Sequence, residues 1–260
     1  TNGRVNDFHS YFISLRGKRK EKKTSGILGD LDEKSLSKIV ESIKQNGFYQ
    51  FDAKLGEQEL IALSQFAHTT PSHCIDVTKK NVAYLKEKIS FDKKNPLSPR
   101  YQFDSKEVVQ NDTVRKVIFD PTFRMIASKY LKCDPILDIV TMWWSVPFNN
   151  KATAQSAQMF HFDMDRFKFI KFFFYLTDVH TDNGPHCYIR KSHNSIPAAI
   201  RKDRRIDDGE LKSYFNVEDI MEFTGEKGTI LAVDTRGLHK GKPLVKDARL
   251  LFQIQFSNSL

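Results

Sequence analysis

From Pro135 onward, the sequence is a succession of short β-type runs separated by turn residues. The runs are rich in aromatic and β-branched residues, and Gly, Asn, Asp and Pro lie between them. In order they read ILDIVTMWWSV (136–146), FKFIKFFFYLTDV (167–179), HCYIR (186–190), GTILAV (228–233) and ARLLFQIQF (248–256). Short strands at this spacing predict that the second half of the chain is a sandwich or a barrel.

The first half of the chain is predicted to be mainly helical. An amphipathic helix with acidic residues in its first turn is expected at 32–46, and Gly47 is its expected end. A short strand should follow at 47–51, then a second helix at about 56–68. A third helix is expected within 111–131, with a break at a proline. Helices followed by strands indicate the α+β class.

The pattern along the chain also predicts how it is organised. Residues 1–30 are expected to be a basic, loosely ordered leader, and residues 31–260 a single domain. Within that domain, 31–134 should form a mainly helical flank and 135–260 the β core. Residues 70–110 are polar and contain three prolines, so they are predicted to be irregular.

The net charge of the chain is +9, and much of the excess lies in one run, RGKRKEKK, at residues 16–23. The run contains no aromatic residues, so a solvated tail is the favoured interpretation. The alternative is contact with an anionic surface, such as that of a membrane. A positive balance also suits nucleic acid or anionic small molecules.

Cysteine content and hydropathy indicate the cellular compartment in which the protein is expected. No window of 18 apolar residues is free of charge, so no transmembrane helix is expected. The first residues lack a charged region followed by an apolar one, so no secretory signal is expected there. Three cysteines at wide spacing suit free thiols in a reducing compartment. A cytoplasmic location, at most peripheral to a membrane, is therefore expected.

A histidine and two aspartates stand at the start of the most hydrophobic segment, QMFHFDMDRFKFIKFFFYLTDV (158–179). Residues i and i+2 of a strand share a face, so His161 and Asp163 should point together and could grip a metal. His239, between two predicted strands, is the best third ligand among the eight histidines. Two histidines and one carboxylate form the facial triad of non-haem Fe(II) oxygenases. Asp165 shares the strand face and could compete as a ligand, form a salt bridge or contact substrate.

Arg249 lies ten residues after His239, inside an otherwise apolar strand. A planar guanidinium there favours a bidentate carboxylate partner, such as the distal carboxylate of 2-oxoglutarate, whose keto-acid end would chelate iron. His186 is either a loop residue near the site or a substrate contact. Lys171 could reach an anionic ligand, but snorkelling to solvent is the favoured prediction.

The layout resembles the phytanoyl-CoA dioxygenase family of Fe(II)/2-oxoglutarate oxygenases. The matching pieces, across roughly 135–258, are HFD (161–163), YLTDVHTDNGPHCYIRKSH (175–193), GTILAVDTRGLHKG (228–241) and ARLLFQIQF (248–256). The family commonly has Gly-Pro-Leu and Pro-Gly-Ser-His where this chain has GPH (184–186) and RKSH (190–193). These departures lie near the substrate side and bear on substrate identity more than on chemistry.

The resemblance implies a double-stranded β-helix (jelly-roll, cupin-like) core with N-terminal and flanking helices. It implies Fe(II), 2-oxoglutarate and O₂ as cofactors, and it makes Gln158 a contact for 2-oxoglutarate or substrate. Because related halogenases lack the carboxylate at Asp163, hydroxylation is favoured over halogenation. The expected substrate is a small, lipid-linked or sugar-linked molecule, and the charge hints that it is anionic. The alternatives are a catalytically silent metal-binding jelly roll and a basic nucleic-acid-binding protein, of which the second is disfavoured.

Overall fold

The computed structural model describes residues 6–7, 10, 24–79, 82–148 and 156–259. The α-helices of this part are α1 (Glu33–Asn46), α2 (Glu57–Thr69), α3 (Ser105–Gln110), α4 (Asp112–Ile118), α5 (Pro121–Leu131) and α6 (Asp208–Leu211), with a 3₁₀ helix at Val217–Asp219. The strands are β1 (Thr24–Gly26), β2 (Gly29–Leu31), β3 (Phe48–Lys54), β4 (Ser72–Ile75), β5 (Tyr84–Ile89), β6 (Arg100–Gln102), β7 (Ile136–Ser145), β8 (Phe169–Tyr175), β9 (His186–Ile189), β10 (Ile220–Phe223), β11 (Thr229–Val233), β12 (His239–Gly241) and β13 (Arg249–Ser257). The chain is therefore α+β, as predicted.

The strands form one large antiparallel sheet, one small sheet and a hairpin. The large sheet has eight strands in the order β3-β11-β8-β13-β7-β6-β4-β5, and the small sheet has the order β10-β9-β12. The hairpin consists of β1 and β2. At the centre of the large sheet, β13 pairs with β7 on one side and β8 on the other. Side chains of both main sheets meet in one apolar cluster, so the sheets pack face to face.

Alternate side chains of β8 pack on opposite faces of the large sheet, against two different layers. Ile170, Phe172 and Phe174 pack in the same cluster as the helices. Phe173 and Tyr175 point the other way and pack against the small sheet. Successive side chains of a strand face opposite sides, so an all-apolar strand buries both faces. The large sheet is therefore the middle layer, with the helices on one side and the small sheet on the other.

The main elements lie where the sequence predicts them. Helix α1 ends at Gly47, whose left-handed φ of 95° and N–H to the Ile43 carbonyl make the predicted C-terminal cap. The break in the third helix separates α4 from α5, and Pro121 opens α5. All five predicted β runs contain a strand.

The prediction that residues 70–110 are irregular is wrong. They contain β4, β5 and β6, which extend the large sheet beyond β7, and the short helix α3. Strands of three or four residues are too short to show an alternating pattern, and β5 is a mainly exposed edge strand with polar residues. The helical flank therefore contributes strands to the β core. Strands β10 and β12 were also not predicted.

The expected leader, residues 1–30, includes an ordered hairpin. Strands β1 and β2 pair from Thr24 to Leu31, and the N–H of Ile27 donates to Asp120 Oδ2 at 2.8 Å. The basic run at 16–23 lies outside the described residues. Among the helices that the structure describes, none is long and apolar enough to cross a bilayer.

Replacing Asp120 with Ala should destabilise the fold more than loss of an ordinary helix cap. Asp120 accepts from Thr122 N (2.9 Å) at the start of α5 and also from Ile27 N. We expect a loss of about 2–4 kcal/mol in the free energy of unfolding, measured by chemical denaturation. Asp104→Ala, which removes the cap of α3 from a partly exposed position, should cost only about 1 kcal/mol. Equal losses in the two variants would contradict the tertiary role of Asp120.

Candidate metal centre

Two histidines from distant parts of the sequence are joined through their backbones. The N–H of His161 donates to the carbonyl of His239 at 3.0 Å, and the N–H of His239 donates back at 2.8 Å. This antiparallel bridge brings the two imidazole centroids to 4.3 Å. Because His239 opens β12, the small sheet carries the pair toward the large sheet. The two side chains are thus held side by side by main-chain bonds.

Asp163 completes the group. Its N–H donates to the Thr235 carbonyl at 2.8 Å, which fixes the backbone beside the bridge. Asp163 Oδ1 lies 3.7 Å from His161 Nε2, and Oδ2 lies 3.5 Å from His239 Nε2. One potential ligand atom from each of the three residues lies within 4.8 Å of the others. The structure therefore brings together the three residues predicted to bind metal.

The continuous strand expected through this segment is not present. Only Phe160 and His161 take part in bridges, and β8 begins at Phe169. The backbone bends between His161 and Phe169, so the segment that contains Phe160 and His161 is not continuous with strand β8. His161 and Asp163 still point to the same side, because main-chain hydrogen bonds to Thr235 and His239 hold this stretch extended.

The ring orientation of both histidines suits metal binding. Nδ1 of His161 lies 2.9 Å from the Met159 carbonyl, and Nδ1 of His239 lies 3.0 Å from the Gly237 carbonyl. A carbonyl only accepts, so each Nδ1 carries the hydrogen and each Nε2 keeps a lone pair facing Asp163. Burial lowers the pKa of His161 to about 3 and lowers that of His239 as well. Both rings are therefore neutral ligands at neutral pH.

The carboxyl of Asp163 is ionised. Burial alone would raise its pKa, but the charge of the Lys171 ammonium and the hydrogen bond that it donates outweigh burial and hold the pKa well below its usual range. Two neutral imidazole nitrogens and one carboxylate form the donor set of a non-haem Fe(II) facial triad. The residues present fit such a metal.

A cavity of about 300 Å³ lies between the two sheets and opens onto the three residues. Arg249 enters it from the start of β13, and its Nη2 lies 3.4 Å from Ser145 Oγ. Its Nε is buried without a hydrogen-bond partner in the described part of the chain. Burial lowers the pKa of Arg249, but this guanidinium remains charged at neutral pH. A buried cation lacking an anion indicates a site for an anionic ligand.

Arg100 is a second cation in the cavity, and sequence reasoning missed it. The register of β6, β7 and β13 places Arg100 and Arg249 on opposite sides of Ser145. Arg100 stacks on Trp143 at 4.2 Å and donates from Nη2 to Gln102 Oε1 at 2.7 Å. Its Nε is buried without a partner in the described residues. Burial, together with the charge of Arg249, lowers its pKa to about 10. The short strand β6 gave no pattern that could reveal it.

The structure also places the remaining residues of interest. Lys171 is buried and paired with Asp163 and Asp165, at 2.7 and 2.9 Å, so the prediction that it snorkels to solvent is wrong. His186 lines the cavity and stacks on His239, with ring centroids 5.4 Å apart. Gln158 is buried but is not among the residues that line the cavity.

The comparisons with known proteins identify the family. The model of the phytanoyl-CoA dioxygenase (PhyH) family matches residues 43–248, which is most of the chain. The chain therefore belongs to this family, as predicted. Iron and 2-oxoglutarate are the metal and co-substrate that this membership and the group of His161, Asp163 and His239 support. No curated protein matches the chain in sequence.

Solved structures share the fold at low sequence identity. The α-ketoglutarate-dependent carbocyclase SnoK from nogalamycin biosynthesis has a TM-score of 0.61 at 12% identity, with 90% of this chain and 87% of SnoK covered. The epimerase SnoN of the same biosynthesis has 0.59 at 15% (86% and 84% covered). AviO1 from Streptomyces viridochromogenes has 0.56 at 11% (85% and 94% covered). These likenesses establish the double-stranded β-helix core that the resemblance to the family implied.

The stability of the metal-free protein should fall as the pH is lowered from 7 to 5. The pKa values of His161, His186 and His239 are lowered by burial, so the unfolded chain takes up protons below about pH 6.5 that the folded chain does not. Each such histidine should contribute a slope of up to about 1.4 kcal/mol per pH unit. Chemical denaturation at several pH values measures the slope, and His186→Gln should reduce it by about one proton. An unchanged slope in that variant would contradict a neutral, buried His186.

Proposed function

We propose that this chain is an Fe(II)- and 2-oxoglutarate-dependent hydroxylase of a small, or lipid- or sugar-linked, anionic molecule. The observation that carries the proposal is the convergence of His161, Asp163 and His239 in a cavity that also contains Arg249, which has no carboxylate partner among the described residues. Family membership gives the reaction class. The same cavity thus offers a ligand set for iron and a cation for the co-substrate.

Each of the three metal ligands has a defined part. His161 and His239 would bind iron through Nε2, because each Nδ1 is committed to a backbone carbonyl. Asp163 would add the anionic ligand and leave part of the coordination sphere open. Bound iron, with 2-oxoglutarate and O₂, supplies the oxidation of an unactivated C–H bond, coupled to decarboxylation to succinate.

The two arginines suit the far end of the co-substrate. Arg249 would bind the distal carboxylate of 2-oxoglutarate with its planar fork. Arg100 would add a second charge from the other side of Ser145, held in place by Trp143 and Gln102. Because both guanidinium groups are desolvated before the ligand arrives, little reorganisation opposes binding.

The walls of the cavity bear on the reaction outcome and the substrate. Phe173, Trp143 and Leu251 line it with apolar surface that excludes water from the reacting centre. A volume of about 300 Å³ is at the lower end for ligand pockets, so most of a large substrate would lie outside it. Arg205, half-buried and within electrostatic range of Asp163, would attract an anionic substrate. Related folds also serve an epimerase and a carbocyclase, so hydroxylation is the proposal and those outcomes are its alternatives.

Anaerobic addition of Fe(II) and 2-oxoglutarate to the protein should produce a visible charge-transfer band. His161→Ala should abolish the band, because one of three ligands is lost, whereas exposed His68→Ala should leave it unchanged. With air admitted and no substrate added, slow succinate formation should follow in the wild type and in His68→Ala but not in His161→Ala. A band that survives in His161→Ala would refute the ligand assignment. Absence of succinate in the wild type would favour the catalytically silent jelly roll.

Loss of either cavity arginine should weaken 2-oxoglutarate binding to the metal-loaded protein. We expect about 100-fold weaker binding for Arg249→Met, which loses the bidentate contact, and about tenfold for Arg100→Met. Arg204→Met, which removes an exposed arginine paired with Glu210, is the control and should bind normally. The charge-transfer band gives the dissociation constants. Normal 2-oxoglutarate affinity in Arg249→Met would rule out its proposed role.

A further inference from the structure

Lys171 occupies an unusual place for a lysine. It lies in the middle of β8 on the cavity face, with Phe173 and Tyr175 on the same side of the strand. Its side chain is only 9% exposed, so the ammonium cannot be solvated as it would be at the surface. A buried charge is retained only where opposite charges compensate for its lost hydration. The residues that contact the ammonium should therefore indicate the role of Lys171.

Two carboxylates hold the ammonium. Lys171 Nζ lies 2.7 Å from Asp163 Oδ2 and 2.9 Å from Asp165 Oδ2. Burial alone would lower the pKa of Lys171, but these two charges raise it above its ordinary value. The lysine is therefore a fixed cation, bonded to one particular oxygen of a predicted metal ligand.

The contact distinguishes the two oxygens of Asp163. Oδ2 accepts a short, charge-assisted bond from Lys171 and lies 3.5 Å from His239 Nε2. Oδ1 lies 3.7 Å from His161 Nε2 and has no cationic partner of this kind within the described residues. We propose that Lys171 is a positioning residue that reserves Oδ2, so that Asp163 binds the metal through Oδ1 alone. The inference rests on the proposed function, because it concerns the metal ligand named there.

A one-oxygen ligand matters for this reaction class. Three protein donor atoms leave three positions of a six-coordinate metal for a chelating keto-acid and one further ligand. A carboxylate that used both oxygens would take one of those positions. Lys171 thus keeps the site open.

The same geometry gives Asp165 a part. It shares Lys171 with Asp163, so the two carboxylates and one ammonium leave a single net negative charge for the metal. Asp165 is not in the three-residue metal-binding group. Of the alternatives open from the sequence, a salt bridge is the one that the described contacts support.

Co(II) binding, followed by infrared difference spectroscopy, tests the proposal without turnover. A carboxylate bound through one oxygen shows a wider separation of its two stretching bands than one bound through both. Wild type and Lys171→Arg should show the wide separation, and Lys171→Met the narrow one. Lys171→Met should bind Co(II) at least as tightly as wild type, because a repulsive cation is lost, while 2-oxoglutarate binding to the Co(II) form weakens at least tenfold.

Lys168→Met is a matched control. Lys168 is also buried and ion-paired, but with Asp7 and away from the metal ligands, so its loss should leave both the infrared separation and Co(II) affinity unchanged. Asp165→Asn should keep the wide separation and bind Co(II) within about tenfold of wild type. It provides the test if Lys171→Met does not fold.

Several outcomes would overturn the proposal. A wide separation in folded Lys171→Met would show that Oδ2 needs no reservation, and loss of Co(II) binding in that folded variant would show that the lysine is needed for ligation itself. A hundredfold loss of Co(II) affinity in Asp165→Asn would make Asp165 a ligand. Wild-type protein that binds no Co(II) would instead refute the proposed function, which separates the two failures.

Discussion

The candidate site depends on one pair of main-chain hydrogen bonds, between His161 and His239. The bonds join a segment that precedes β8 to the first residue of β12, and thus a loop beside the large sheet to the small sheet. The backbone geometry of an antiparallel bridge fixes the separation of the two Cβ atoms. The bonds from each Nδ1 to a backbone carbonyl then fix the orientation of the two rings. The bridge therefore positions the predicted metal ligands, whereas the register of the large sheet positions the two arginines.

Charge inside the cavity is the second constraint. Lys171 is balanced by Asp163 and Asp165, but no acidic residue in the described part of the chain pairs with Arg100 or Arg249. Desolvated guanidinium groups cost free energy in the empty protein, and that cost is recovered only when an anion enters. The end of the cavity where Ser145 lies between the arginines therefore favours a negatively charged ligand.

The sequence predicted the long strands of the fold and those site residues that lie close together in the chain. Long runs of aromatic and β-branched residues bounded by turn residues revealed β7, β8 and β13, and the spacing of His161 and Asp163 placed these two residues together. Contacts that depend on register were not predictable. Arg100 reaches the cavity only because the three-residue strand β6 pairs with β7, and nothing in its neighbours indicates this. The sequence favours a snorkelling Lys171, because it does not reveal the turn that brings Asp163 and Asp165 to the ammonium.

The two faces of the large sheet carry different parts of the protein. The helices pack on one face, whereas the other face bears Lys171, Arg249 and the cavity and also packs against the small sheet. A substitution at a cavity-lining position therefore leaves the helix-facing core in place, although it can disturb the packing of the small sheet. Two further elements lie beside the predicted metal ligands: β6, which adds Arg100 to the cavity, and the segment around Ile206, which bridges to Phe160 next to His161. Because both elements border the predicted metal ligands without supplying one, we expect the substrate preference of this protein to depend on them.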